Sequence, residues 1–438
     1  MKQYIAIISD HASPLAPPGG VNSGGQNVYV AQIARHLARR GHYVDIFTRK
    51  DDPALPEVYH WQDRIRVVHV PAGPPEYVDK EKLLDYMPEF TAFIMNFMVM
   101  YDITYDVVHA NFWMSGLAAL EIKNAFHIPF VITFHALGRI RRLHQQGADR
   151  FPDKRLEIEE LLARKADRIL TACPQDEEDL LEYYNAHPGR FVMVPCGFDP
   201  VEMRRVNKLW ARWKLGLPLN EFIAVQVGRM VPRKGVDNAI RGFARFEKNS
   251  GAKARLLVVG GESETPDPAL TPEMGRLQEV AREEGAEGSV VFTGRRSREA
   301  LRYYYSAADV FITTPWYEPF GITPLEAMAC GAVVVASEVG GLKYTVRHGE
   351  TGYHVPPHDP DALAERLEYL WRYPRRLKVL SQAGERRVHQ NFRWDQVARA
   401  LEAVYRDVSH HQPILDQKKD VIYIIKRKSP RLAHYEYF

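Results

Sequence analysis

Cysteine is scarce. Cys173, Cys196 and Cys330 are the only three in 438 residues. Residues so few and so far apart exclude a disulfide framework and are too scattered for a zinc site. A reducing, cytoplasmic compartment is therefore expected. Long apolar runs are also missing. The most membrane-like stretch, 92–101, is about half the length of a spanning helix and reads as a core helix. The first apolar run, Ile5-Ala6-Ile7-Ile8, is too short for a signal-peptide core, and no small-residue cleavage site follows it. It reads as a first buried strand. A charge excess is absent as well: 58 basic against 55 acidic residues leave +3. That balance argues against a nucleic-acid partner. Internal repeats and low-complexity tracts are absent.

What is present is an alternation of short β-rich runs with helical patterns. Val30, Ile33, Ala34 and Leu37 follow the first strand at i, i+3, i+4, i+7, a helical stripe, and Gly41 stops it. Further strands are expected at 43–48, 65–70, 106–110, 130–134, 168–171 and 191–194. Most are apolar on both faces, as in a parallel sheet covered by helices. The turn-rich Val194-Pro195-Cys196-Gly197-Phe198-Asp199-Pro200 breaks the series. A second series then expects strands at 222–227, 254–259, 289–293, 310–313 and 333–336. The fold class is α/β, with two doubly wound domains facing across a cleft. Ligands in such sheets bind at the carboxyl ends of the strands. The boundaries are 1–205, 206–393 and a tail over 410–438, whose strand-like 421–425 is flanked by basic clusters. Residues 195–218 and the vicinity of Arg393 are the expected hinge for domain closure.

Three loops carry candidate chemistry. The first, 17–27, is glycine-rich and opens a helix, which suits an anion. Its spacing fits neither a dinucleotide fingerprint nor a Walker loop. The second, Gly228-Arg229-Met230-Val231-Pro232-Arg233-Lys234-Gly235, places Arg229 and Lys234 to clamp a diphosphate. The third, 315–331, holds Glu318 and Glu326. Thr323-Pro324-Leu325-Glu326 matches a capping box, so a purely structural role for Glu326 competes with a binding one. Glu318 has no such alternative and could accept bonds from sugar hydroxyls, while the amides of Gly321, Ile322 and Thr323 suit a phosphate.

These loops, in this order, resemble the retaining, nucleotide-sugar-dependent glycosyltransferases of the GT-B fold. Glu318 to Glu326 resembles their paired-glutamate motif, and Gly228 to Gly235 their diphosphate loop. Ser23-Gly24-Gly25-Gln26-Asn27 resembles the first loop of the sucrose-phosphate synthase and mycothiol glycosyltransferase branch. The resemblance runs from about residue 4 to about residue 405. It implies two Rossmann-like domains and a last helix, 394–409, crossing back onto the first. It also implies a UDP-sugar donor, with UDP-glucose foremost, and no essential metal or other cofactor. Gly24 and Gly25 would meet the donor phosphate, Arg229 and Lys234 the diphosphate, Arg295 the base and Glu326 the ribose. Glu318, with Gly321, Ile322 and Thr323, would hold the sugar, and His135 would stand beside it. A retaining hydrolase would need two carboxylates flanking the bond, and no such pair is visible.

The implied acceptor is a sugar phosphate. Leu137-Gly138-Arg139 and Lys154-Arg155 resemble the sucrose-phosphate synthase version of this region, which makes fructose 6-phosphate the first expectation and sucrose 6-phosphate the product. Arg139, Lys154 and Arg155 would form a basic rim, aided by Gln26 and Asn27, whereas Arg141 and Arg142 read as solvated helix surface. Asp79-Lys80 instead resembles the mycothiol enzymes, where that lysine meets an inositol phosphate. Phe112 and Ala136 replace a tyrosine and a threonine of those enzymes, and His69 replaces an arginine of the synthases. Inositol phosphate, another sugar phosphate or a lipid is the alternative acceptor. A nucleotide-sugar epimerase on the same fold, or a non-catalytic binder, stands further off. The epimerase would need acid–base groups at the sugar's C2, and the binder should have lost Glu318, Arg229 or Lys234.

Overall fold

The computed structural model describes residues 2–16, 24–145 and 149–410. Residues 17–23 of the glycine-rich loop and the strand-like 421–425 lie outside them. The first sheet contains β1 (Tyr4–Ile8), β2 (Tyr43–Arg49), β3 (Val58–Gln62), β4 (Ile65–Val70), β5 (Val107–Asn111), β6 (Phe130–Thr133), β7 (Arg168–Thr171) and β8 (Phe191–Met193). Their order is β3-β4-β2-β1-β5-β6-β7-β8. The second contains β9 (Phe222–Val227), β10 (Ala254–Val259), β11 (Val290–Gly294), β12 (Val310–Thr313), β13 (Val333–Ser337) and β14 (Gly352–Val355), in the order β11-β10-β9-β12-β13-β14. All described pairings are parallel except β3 with β4.

The helices of the first half are α1 (Gly25–Arg39), α2 (Met87–Met100), α3 (Trp113–Phe126), α4 (Gly138–Gln145), α5 (Lys154–Lys165) and α6 (Pro174–Tyr184). Those of the second are α7 (Lys208–Lys214), α8 (Val236–Ser250), α9 (Pro272–Glu283), α10 (Arg298–Ala307), α11 (Ile322–Ala329), α12 (Leu342–Thr345), α13 (Pro360–Arg372), α14 (Pro374–Asn391) and α15 (Trp394–Ser409). Helices cover both sheets, so central strands such as β5, β6, β12 and β13 are buried along their whole length.

Two strands escape sequence reading. β3 is a largely exposed antiparallel edge with no clean alternation. β14 is four residues long and begins with glycine. The helix expected at 92–101 is α2: Ile94, Phe97 and Met98 are buried, but Val99, Met100 and Tyr101 emerge into solvent.

Helix α15 packs against α1 of the first half. Its buried stripe runs through Trp394, Val397, Ala398, Leu401, Tyr405 and Val408, a helical period. Tyr405 Oη bonds Nδ1 of His109 at 2.7 Å, and Ser409 Oγ donates to the Asp106 carbonyl at 3.0 Å. The two chain crossings lie side by side. Phe198 N–H donates to Phe392 O at 2.8 Å, and Trp394 N–H to Phe198 O at 3.3 Å. A Cβ on Gly197 would stand 2.8 Å from Trp394 N, so only glycine permits this approach.

Candidate active site

In each sheet the strand order reverses about its first strand: β2-β1-β5 in one, β10-β9-β12 in the other. Crevices open at the carboxyl ends of strands at such points. The two crevices face one another and form a cleft of ≈ 380 Å³. Gly24, Gly25, Gln26, Asn27, Lys80 and His135 line it from the first half. Arg229, Lys234, Arg295, Glu318, Gly321, Ile322, Thr323 and Glu326 line it from the second.

The start of α1 abuts both loops of the second half. A Cβ on Gly24 would lie 3.7 Å from Arg229 Cζ, and one on Gly25 3.9 Å from Ile322 Cδ1. Asn27 shapes this turn: its Oδ1 accepts the Gly24 N–H at 2.9 Å, and its Nδ2 donates to Ser13 O at 2.9 Å. Gln26 Nε2 donates to Ser9 Oγ at 3.1 Å and to Asn111 O at 3.2 Å. Both side chains thus hold local structure as well as lining the cleft.

The loops after β9 and β12 are clipped together. Thr314 Oγ1 donates to Gly235 O at 2.7 Å, and Trp316 N–H to Arg233 O at 2.9 Å. Gly235 has φ 61°, and a Cβ there would meet Thr314 O at 1.9 Å. The Glu318 carbonyl accepts the Gly341 N–H at 3.0 Å. Lys234 Nζ bonds the Glu318 carboxylate. Burial alone would raise the pKa of that carboxyl, but Lys234 and Arg233 outweigh it and hold the group below its usual range. Arg229 is pushed down to about 10 by burial and by Arg233.

Glu326 does not cap its helix. Helix α11 begins at Ile322 with Gly321, φ 91°, as its cap residue and no side-chain cap. The capping-box reading fails because the helix starts before Thr323, so Glu326 turns inward. Buried there, it accepts from Arg298 Nη2 at 2.8 Å and from Tyr305 Oη at 3.2 Å. Arg298 Nε also donates to Glu202 at 3.1 Å. Arg295 is fixed by its backbone N–H, which donates to Ser263 O at 2.7 Å.

His135 adopts φ 59° at the end of β6, and its Nε2 bonds Asn111 Oδ1 at 2.9 Å. Burial, with His11 nearby, pushes its imidazole down to about 3. The ring is therefore neutral at physiological pH, with Nε2 carrying the proton toward Asn111.

The expected basic rim does not form. Arg155 is fully buried: Nε donates to Glu159 at 2.7 Å and Nη2 to Ala136 O at 2.6 Å, with the guanidinium stacked among Phe112, Trp113 and Phe151. Arg139 pairs with Glu160 at 3.2 Å and lies over Tyr184. Lys154 is exposed at the start of α5. None of the three lines the cleft. Apolar and acidic neighbours that pattern alone cannot locate claim the two arginines. Arg141, by contrast, lines the cleft from α4, paired with Asp149 at 2.7 Å. Lys80 lines it too, with burial, Arg229 and Arg141 pushing its ammonium down to about 8. Sequence reading also passed over Tyr317, Arg233 and Arg298, which line the same space. Arg233 and Tyr317 sit inside recognised motifs, which was the available signal.

Comparison with known proteins agrees with this architecture. Residues 23–202 match the Glycosyltransferase Family 4 model, and 208–387 match Glycosyl transferases group 1. A D-inositol 3-phosphate glycosyltransferase of Corynebacterium aurimucosum is 37% identical over 413 residues, covering 92% of this chain and 96% of that one. The chain belongs to the retaining GT-B glycosyltransferases. The sucrose-phosphate synthase of Thermosynechococcus elongatus superposes on this transferase with a TM-score of 0.86 at 34% identity, covering 94% of it and all of the synthase (100%). Anabaena HepE, solved with UDP and glucose, shares the fold at TM-score 0.72 and 19% identity, covering 92% of the transferase and 100% of HepE.

The transferase cleft can stabilise negative charge that develops within it. Arg229 and Lys234 bring positive charge to it, Lys234 held by Glu318, and the first turn of α11 brings Ile322 and Thr323, whose amides have no intrahelical partner. Such preorganised donors in a water-poor site are the usual source of rate.

Proposed function

We propose that this transferase moves a hexose, glucose from UDP-glucose in the first instance, onto an inositol phosphate. The observation that carries the acceptor is the position of Lys80 in the same cleft as Arg229 and Lys234, with Arg139, Lys154 and Arg155 outside it. The inositol-phosphate name of the similar Corynebacterium protein supports the same reading. In it, Gly25 and the start of α1 meet the donor phosphate, and Arg229 and Lys234 hold the diphosphate. Arg295 faces the base and Glu326 the ribose. Glu318, with Gly321, Ile322 and Thr323, holds the sugar next to His135. The bond from sugar C1 to the β-phosphate oxygen breaks as the acceptor oxygen bonds C1 on the same face. The acceptor proton passes to the departing phosphate oxygen, and Arg229 and Lys234 take up the charge that grows there. Turnover through these groups proceeds in EDTA.

Fructose 6-phosphate is the second reading. Phe112 and Ala136 line the cleft in place of the hydroxyl side chains of the inositol-phosphate enzymes, and the structural likeness to a sucrose-phosphate synthase supports it. The test crosses UDP-glucose, ADP-glucose, GDP-mannose and UDP-GlcNAc with D-inositol 3-phosphate, fructose 6-phosphate and their dephosphorylated forms, reading nucleoside diphosphate release. Release with D-inositol 3-phosphate is expected. Release with fructose 6-phosphate alone moves the assignment to the synthase, and release only with unphosphorylated acceptors overturns both.

A further inference from the structure

The cleft contains more positive charge than a donor diphosphate accounts for. Lys234 is paired with Glu318, and Arg141 with Asp149. Among the described residues, Lys80, Arg229 and Arg233 have no hydrogen-bond or ion-pair partner for their side-chain charges, yet all three line the cleft. Packing unpaired cations together in a partly dry space is costly. Each of the three is held below its usual pKa by burial and by the other cations. A protein keeps such an arrangement where an anion completes it.

The fold shows how charges from both halves meet. His144 lies one turn after Arg141 on α4, and its ring stacks on Tyr317 of the opposite half at 5.1 Å and 13°. Tyr317 follows Trp316, whose N–H is bonded to the Arg233 carbonyl at 2.9 Å. This chain of contacts brings α4 of the first half against the Arg233 loop of the second. Arg141 and Arg233 therefore reach the cleft from opposite halves, close enough for the two charges to act on each other. Lys80 lines the same space, within reach of the charges of Arg229, Arg141 and Arg233.

We propose that Arg233, with Arg141 and Lys80, forms a second anion site that grips the phosphate of the acceptor from both domains at once. The site rests on the reading of a phosphorylated acceptor. Its new content is that a residue of the donor-side domain selects the acceptor. A phosphomonoester dianion bridges the two walls, so an acceptor without phosphate leaves Arg233 uncompensated and is rejected. The guanidinium fork suits a phosphate bidentately, while the Lys80 ammonium adds a point charge.

The test fills the diphosphate position with inorganic pyrophosphate, which needs no base assignment. The loaded full-length protein is then titrated with D-inositol 3-phosphate and, separately, inorganic phosphate by calorimetry. Wild type is expected to bind a second anion. Arg233→Leu and Arg141→Leu should each weaken that binding about 10- to 100-fold while changing pyrophosphate affinity less than about threefold. Arg164→Leu is the charge control, because Arg164 is paired with Glu160 at 2.7 Å and lies outside the cleft lining. A circular-dichroism melt checks that each variant is folded, and Arg233→Lys is measured where Arg233→Leu is not. Wild type without a second binding event overturns the proposal. So does Arg233→Leu that binds the second anion normally, or that loses pyrophosphate as Arg229→Leu does. Turnover with an unphosphorylated acceptor overturns the acceptor reading instead, and leaves the second anion site to stand or fall by calorimetry.

Discussion

Lys234 and Glu318 are bonded to each other although they stand on different loops, after β9 and after β12. Each would leave an unpaired charge in a half-buried cleft if the other were removed. In the proposed reaction they serve different parts of the donor, Lys234 the diphosphate and Glu318 the sugar. The pair therefore holds both side chains in place until the donor enters between them.

Removing Lys234 should cost turnover most. Lys234→Ala is expected to lower kcat by about 10²- to 10³-fold, with a smaller change in donor KM. Steady-state kinetics with saturating acceptor decides this. A loss confined to KM would move Lys234 from charge stabilisation to simple binding.

The same variant should change acid stability. The Glu318 carboxyl is held below its usual range, so its stabilising contribution is fully present above the unfolded value of about 4.3 and is lost as pH falls through the lowered folded value. Without Lys234 the folded value rises, because Arg233 and Arg229 then oppose burial alone. Urea unfolding between about pH 3 and pH 6 should show the acid limb of Lys234→Ala displaced to higher pH than wild type.

Lys80 gives the alkaline side of activity. Its ammonium is pushed down to about 8 by burial and the neighbouring arginines. The acceptor kcat/KM, which reports the free enzyme, should fall above about pH 8 as the charge is lost. Lys80→Arg keeps its charge and should remove this limb. A limb that persists in Lys80→Arg belongs to another group.

His135 should contribute no limb near neutrality. Its imidazole is pushed down to about 3 and stays neutral from pH 5 to 8. Histidine NMR across that range, assigned by difference from His135→Gln, should show its signals unmoved.

Two structural variants test how the site is built. Arg298→Leu strands the buried Glu326 carboxylate and should cost about 3 kcal/mol of stability, together with nucleotide affinity. Gly235→Ala forces a side chain into Thr314 at φ 61°. It should cost about 2–3 kcal/mol and weaken pyrophosphate binding. Denaturant midpoints and calorimetry read both.

Sequence reading reached the strands best where they are buried on both faces. β7, β9, β10 and β12 end where the apolar runs end. The donor loops were legible because glycine and proline punctuate them at strand ends. The basic acceptor rim is not legible in the sequence. An arginine on a helix looks the same in sequence whether it turns toward the cleft, as Arg141 does, or inward onto Glu159, as Arg155 does. Glu326 was ambiguous for a related reason, since its local pattern describes a helix cap that the actual helix start pre-empts.

By itself the sequence determined two wound α/β halves, their order and the three loops at the carboxyl ends of their strands. Local periodicity and turn chemistry act over a few residues, so they are written in adjacent positions. Only the tertiary structure decided which charges meet. Lys234 lies 84 residues from Glu318 and Arg298 28 residues from Glu326, and His144 of the first half stacks on Tyr317 of the second. Pairing over such separations depends on how the two sheets face each other, a property of the packed whole.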